Sequence, residues 1–301
     1  HHYSAATKSE KELEQSWEKA ISIILGARED NRLLEFTATL DLENKSIYEK
    51  YKDKVIYRYA LDRFIQDRFS KNVKRIQSSN TDEENMLNVV LLSEFRRRYA
   101  HELYGTYVKP VIMFKSQRID ASNEANQTFN ELIDSLTPQS IRDFLLRQKQ
   151  VGNERESETL SIAHDYYRKN DSELDQIVRD IKREFAPTRI INANDSDRGS
   201  GMLEKGQYEA LNSLESPANL YRVIFAVAKL TEGWDVLNLY DIVRISNYKD
   251  TKGDKKTTMA EAQLIGRGAR YNPFVLNGKK QYTRRFDERE DVTPSLIMDT
   301  L

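Results

Sequence analysis

Apolar positions along the chain fall into two periodicities, and together they predict an alternation of helices and short buried strands. Leu13, Trp17, Ala20, Ile21 and Ile24 recur at helical spacing, and Gly26 is placed to stop that helix. LLEFTATL over 33–40 is apolar with Thr and Phe, and predicts a buried strand ending in a turn. Leu87, Val90, Leu91, Phe95, Tyr99 and Leu103 form the apolar side of a helix over 86–104, closed by Gly105. VKPVIMF over 108–114 predicts a second strand. From Asn126 to Phe185 the pattern is helical almost throughout, with a loop predicted near 150–158. One stripe is Phe129, Leu132, Ile133 and Leu136. Another is Leu174, Ile177, Val178, Ile181 and Phe185, behind a cap at Asp171 or Ser172. Residues 188–194, 222–228 and 241–246 are further apolar runs with little polar interruption. Short apolar strands alternating with helices point to an α/β fold with a parallel sheet covered on both faces.

Composition narrows the chemistry. The 301 residues hold 47 Lys plus Arg against 48 Asp plus Glu, a formal net charge of -1, so a globally basic nucleic-acid coat is excluded and only local patches remain. One such patch is 54–76, where Lys54, Arg58, Arg63, Arg68, Lys71, Lys74 and Arg75 face only Asp62 and Asp67. It reads equally as a set of phosphate contacts or as a solvated surface. There is no Cys, which removes disulfides, thiolate metal sites and Cys nucleophiles. No apolar run has the roughly 18 residues of a membrane span, and the first residues lack a signal-peptide core. A cytoplasmic location is the default expectation. Gly and Pro are scarce, at 11 and 6, so each Gly cluster is informative.

Several motifs fail. Gly201 to Gly206 has phosphate-loop spacing, but Gln207 and Tyr208 stand where Lys and Ser/Thr are needed. Asp30 with Glu43-Asn44-Lys45 has the spacing of a nuclease metal site, and a chain this charged produces such spacing by chance. No metal site is expected from His1, His2, His101 or His164, which lack ligand spacing.

The informative stretch is 222–274. Gln263, Gly266, Arg267 and Arg270 form Q-x-x-G-R-x-x-R, and a helix begun near Met259 sets Gln263, Arg267 and Arg270 on one side. Gly266 and Gly268 keep that turn free of bulk. Two guanidiniums over small residues suit a multiply charged phosphate chain, with a solvated basic face as the alternative. LTEGWDV places Thr231, Glu232, Gly233 and Asp235 in the loop at the carboxyl end of a strand, where open parallel sheets bind ligands.

T-E-G-W-D followed by Q-x-x-G-R-G-x-R resembles motifs V and VI of superfamily 2 helicases. The wording LTEGWDV and QLIGRGARYNPF is similar to the helicase (Res) subunit of type III restriction enzymes. Thr37-Ala38-Thr39 matches motif III. PVIMFKS, with Lys115 and Ser116, resembles motif IV. HHY fits the end of a DEAH-type motif II, with His1 as its His, although a terminal His pair also fits a tag remnant. The resemblance implies a RecA-like parallel sheet flanked by helices. Residues 1–42 would be the C-terminal end of motor domain 1, and 43–301 would be motor domain 2 with a mainly helical insertion at 120–187.

By the same resemblance the intact protein is an ATP-dependent DNA helicase or translocase, a hydrolase that uses ATP and Mg²⁺ held mainly by motor domain 1. Arg270 would be the arginine finger, Arg267 a second γ-phosphate contact (or the reverse), and Gln263 an orienting group. Asp235, with Glu232, Gly233 and Gly266, would line the nucleotide side, and Gly233 would also approach the nucleic acid. Thr231, Lys115, Ser116, Thr37 and Thr39 would contact nucleic acid. The expected partners are double-stranded DNA and a DNA methyltransferase subunit that supplies target recognition. The alternatives are a DNA-repair or other defence helicase, and a helicase-like scaffold that binds nucleic acid without hydrolysing ATP.

Overall fold

A computed structural model describes residues 19–37, 40, 42, 44–76, 79–152, 157–193, 209–227, 236–245 and 255–301, the side chains of 255–260 excepted. The chain forms two compact units. One comprises residues 1–60 with 254–259, the other residues 61–253 with 260–301.

In the first unit, residues 19–26 are helical, as the spacing of Ile21 and Ile24 predicts. A short helix α1 (Lys45–Tyr51) starts at Asn44, whose side-chain oxygen accepts from the Ser46 and Ile47 amides. Asn44 is therefore a helix cap rather than the middle of a metal-binding strand, and Asp30 pairs with Arg28 at 2.9 Å on the surface. The buried strand expected at 33–40 is not formed over residues 33–37, and 38 and 39 lie outside the described residues. Residues 31–37 are irregular, and Phe36 is 92% exposed. An apolar run becomes a strand only when a neighbour takes up its amides and carbonyls, and no described strand pairs with this one.

The second unit contains a four-stranded, fully parallel sheet. Its strands are β1 (Val111–Ser116), β2 (Ile190–Asn192), β3 (Val223–Val227) and β4 (Leu239–Arg244), in the order β2-β3-β1-β4. All four predicted runs are strands, shifted by a few residues at their ends. Successive side chains alternate between faces. Ile112, Phe114, Val223 and Phe225 enter one core, while Val111, Met113, Ile224 and Ala226 enter another. The register between β1 and β4 slips after Val111, which pairs with Leu239 while Ile112 pairs with Asp241. This bulge turns Tyr240 to the larger core.

Helices cover that larger core. α3 (Asp82–Tyr104), which follows a short α2 (Leu61–Gln66), begins with a reciprocal capping box between Thr81 and Glu84. It ends at Gly105 in the left-handed region, φ +60°. Between β1 and β2 lie α4 (Ile119–Ser135), α5 (Pro138–Val151), α6 (Glu158–Lys169) and α7 (Leu174–Glu184). They pack into the main core rather than standing apart. Phe129 of α4 meets Phe114 and Phe225 at ring distances of 5.4 and 5.8 Å. His164 is wholly buried, its Nε2 2.8 Å from Asn88 Oδ1, which makes it a packing residue. The predicted cap at Asp171 or Ser172 is a 3-10 turn, Asp171–Glu173, ahead of α7.

The opposite face is covered by 209–214 and by α8 (Lys255–Gly268). A β5–β6 ribbon (Val275–Leu276 and Lys279–Lys280) and α9 (Thr293–Met298) follow. The assembly is the α/β class with a parallel sheet that the strand pattern implied, and it agrees with the RecA-like fold that the resemblance implied. Among the described residues, no helix is long and apolar enough to cross a membrane.

Buried cations tie the layers together. Arg222, wholly buried, donates to Pro110 O (3.0 Å), Glu184 (2.7 Å) and Ser93 Oγ (3.0 Å), joining β3, α7, β1 and α3. Arg96 of α3 pairs with Asp241 of β4 and donates to Ile297 O at 3.1 Å. Asp299 is buried beyond α9, and burial pushes its carboxyl up to about 7 although the Arg285 and Phe286 amides donate to it. A carboxyl raised in the fold binds its proton more tightly there than in the unfolded chain. Its contribution is fully present below the unfolded pKa of about 4 and is lost as pH climbs to about 7. The stability of Asp299→Asn relative to the native chain should therefore rise as pH goes from about 4 to about 7, then level off. Urea unfolding across that range checks this, and a difference independent of pH would refute it.

Candidate functional site

The four strands are parallel, so their carboxyl ends share one edge. Ser116, the last residue of β1, is in register with Val227, the last of β3, and Lys115 with Arg244 of β4. Lys115 and Ser116 therefore lie at the carboxyl edge, as the last two residues of β1 rather than in the loop after it. Both are buried nonetheless, at 5% and 1% exposure. Burial also lowers the Lys115 pKa from its ordinary value. Among the described residues, Ser116 Oγ has no hydrogen-bond partner. The loop that follows β3, with Thr231, Glu232, Gly233 and Asp235, lies outside the described residues, as do Thr39 and His1. Thr37 is exposed in the first unit.

α8 connects this edge to the opposite one. At its middle, Glu261 pairs with Arg244 at the carboxyl end of β4. Near its finish, Gly268 packs beside Leu239 at the amino end of the same strand. Gln263 and Arg267 are one helical repeat apart and both partly exposed. The helix stops at Gly268, so Arg270 is placed not by helical periodicity but by a bridge to Ser70. Gln263 thus lies two residues from Glu261, which reaches the carboxyl end of β4, whereas Gly268 and Arg270 lie near the amino end of that strand.

What fixes Arg270 is Lys71, which the sequence had grouped with the basic patch as a possible phosphate contact. Lys71 is fully buried. Its Nζ donates to Leu237 O (2.7 Å), Leu239 O (3.0 Å), Gly268 O (2.7 Å) and Arg270 O (2.7 Å), and lies 4.7 Å from the Tyr240 ring centre. Its own amide donates to Ala269 O at 2.6 Å. One ammonium thus closes the carbonyls leaving α8 onto those entering β4. Burial pulls its pKa well below the ordinary lysine value. Its position just before Asn72, in a run of charged residues, offered no signal of this role. Arg68, by contrast, is a surface residue paired with Glu288 at 2.5 Å, and Lys74 and Arg75 are exposed.

The two glycines differ. A Cβ at Gly266 would meet nothing within 4 Å, whereas one at Gly268 would lie 3.0 Å from Leu301 Cδ1 and 3.3 Å from Leu239 Cδ2. Gly266 keeps open the surface beside Arg267, and Gly268 lets α8 close onto β4. Among the described residues, no group of three or more His, Cys, Asp and Glu could hold a metal ion.

Two stability comparisons follow. Gly266→Ala should fold at least as stably as the native chain, while Gly268→Val should lose about 1–3 kcal/mol to overpacking. Lys71→Met should lose at least about 3 kcal/mol, because four buried carbonyls forfeit their donor. Chemical denaturation measures all three. Equal stability of the two glycine variants would contradict the packing role of Gly268.

The family model HI_1054_N, described as an N-terminal region, matches residues 257–301, the segment from α8 onward. The chain is 30% identical over 286 residues, 85% of its length, to the probable type III restriction-modification enzyme HindVIP Res subunit of Haemophilus influenzae. It spans 55% of the length of that relative. No solved structure matches it. Taken with the parallel sheet and the ordered Q-x-x-G-R-x-x-R segment, this similarity makes the chain a relative of the Res subunits of type III restriction-modification enzymes.

Proposed function

We propose that this chain supplies the second motor domain of an ATP-driven DNA translocase in a type III restriction-like enzyme. The observation that carries the reading is the seat of Arg270. Its backbone is fixed by Lys71 at the end of a helix that also bears Gln263 and Arg267. A guanidinium that must meet a transferring phosphoryl group needs a rigid support, since the gain comes from donors already aimed when charge develops.

The residues present fit one side of a nucleotide site. Arg267 and Arg270 suit phosphate oxygens, whereas no GxxxxGK[S/T] loop occurs in these 301 residues, and neither of their Asp-Glu pairs, Asp82-Glu83 and Asp287-Glu288, continues as Asp-Glu-x-His or Asp-Glu-x-Asp. ATP with Mg²⁺ supplies the phosphoanhydride bond whose hydrolysis drives movement, and motor domain 1 holds the metal. Arg270 stabilises charge on the phosphoryl oxygens, Arg267 makes a second contact, and Gln263 orients Arg267 or the attacking water. Glu232, Gly233 and Asp235 complete the nucleotide side. Thr231, Lys115, Ser116, Thr37 and Thr39 belong to the nucleic-acid side. For Lys115 and Ser116 their burial means that contact requires the carboxyl edge to open. DNA is gripped through its phosphates without sequence preference. Target choice falls to a methyltransferase subunit.

In a protein carrying both motor domains, Arg270→Ala should lower DNA-stimulated ATP hydrolysis by about 10³–10⁵, with DNA affinity nearly unchanged. The 301-residue chain alone should show no ATPase above background. Loss of DNA affinity with ATPase intact would overturn the arginine-finger assignment, and robust ATPase from the isolated chain would overturn the division of the motor.

A further inference from the structure

Lys71 holds Arg270 from one side, and the segment that carries Lys71 is itself held from its far side. Ser70 and Arg270 form an antiparallel bridge, in which the Lys71 amide donates to Ala269 O at 2.6 Å. In such a pair the carbonyl of Ser70 points away from Arg270. Arg284 meets it there. This arginine is 4% exposed. Its Nη1 donates to Ser70 O at 2.5 Å, its Nη2 to Ile65 O at 2.9 Å and its amide to Arg68 O at 2.9 Å. One residue thus takes carbonyls from the end of α2, from the turn after it and from the run beside Arg270. Arg68 in that turn lies in the left-handed region, φ +66°. A residue with a Cβ keeps such a conformation only where its surroundings over-determine it. Its side chain pairs with Glu288. Asp287 in turn fixes Arg284, with Oδ1 2.8 Å from Nε and Oδ2 2.6 Å from Nη2.

We propose that Arg284, oriented by Asp287, is a positioning residue for Arg270 and sets its place through Ser70. The inference rests on the motor reading, in which Arg270 meets the phosphoryl group in transfer. Two features favour aim over bulk stability. A buried ion pair adds little net stability, because taking both charges out of water offsets their attraction. What a planar guanidinium supplies is direction. Its two contacts with Asp287 leave Nη1 aimed at Ser70 O. The second feature is the place of the contact. Lys71 holds the run from the Arg270 side and Arg284 from the other, so the run is fixed on both edges. A phosphoryl contact must be aimed before charge develops, and a misplacement of about 1 Å costs about a hundredfold in rate.

The test uses a protein carrying both motor domains. Its ligands are ADP alone and ADP with aluminium fluoride, a mimic of the phosphoryl group in transfer. Arg284→Lys keeps the charge and loses the fork. It should bind the mimic about tenfold to hundredfold more weakly and lose DNA-stimulated kcat by a similar factor, with ADP affinity and KM for ATP unchanged. Asp287→Asn keeps the shape of the pair, which guards against a folding failure, and should move the same readings the same way by less. In an Arg270→Ala background, Arg284→Lys should cost nothing more, because its effect passes through the missing side chain. A further loss in that background would show a role in folding alone and overturn the proposal. So would unchanged affinity of Arg284→Lys for the mimic beside a loss in Arg270→Ala. An Arg270→Ala protein that binds the mimic as tightly as the native one would overturn the motor reading, and the proposal with it.

Discussion

An ammonium ion removed from water must be given oxygen ligands in place of its hydration shell, and Lys71 takes them from the backbone of two other segments. Three N–H bonds serve four carbonyls, so no nearby rearrangement leaves them all satisfied. The path from 237 into β4, the exit of α8 and the strand-like stretch around Ser70 are consequently fixed relative to one another. Arg96, whose guanidinium lies 5.3 Å from the opposite partner of Lys71, the Tyr240 ring, adds α3 and the 297–300 stretch to the same set. The helix that bears Gln263 and Arg267 is therefore positioned less by its own apolar stripe than by polar groups beneath its C-terminal end.

This arrangement gives the sheet two distinct edges. At the carboxyl edge stand Lys115 and Ser116. At the amino edge stands Arg270. β4 and α8 run between them in opposite directions, clasped at one end by Glu261 with Arg244 and at the other by Lys71. The two clasps tie α8 to β4 at separate points along the strand.

Much of this was legible in the residues. Strands at 111–116, 190–192, 223–227 and 239–244 follow from short apolar runs, and the Gly105 stop follows from the single residue type that takes a left-handed turn without strain. The run at 33–40 had the same apolar character and did not become a strand over 33–37, because local pattern says nothing about the neighbour a strand requires. Lys71 was opaque for a related reason. A lysine surrounded by charged residues looks solvated, and only tertiary structure brings carbonyls from about 170 and 200 residues away onto its Nζ. The Q-x-x-G-R-x-x-R spacing suggested one helical face through Arg270, whereas the helix ends at Gly268, two residues earlier.

The residues at 299–301 share in this closure. The Asn72 amide donates to Asp299 O and the Lys74 amide to Leu301 O, the Leu301 amide donates to Asn72 O, and the Leu301 methyls fill the space that Gly268 leaves. The consequence is one of timing. Contacts between residues near 72 and near 300 are among the most distant along the chain, and they pay their loop-closure entropy before they return any packing. On the ribosome, β1 to β4 and their covering helices can assemble while the seat of Arg270 still lacks its far side. Arg270 can reach its final setting only after Leu301 has left the exit tunnel, so a nascent chain would acquire its sheet well before Arg270 is seated.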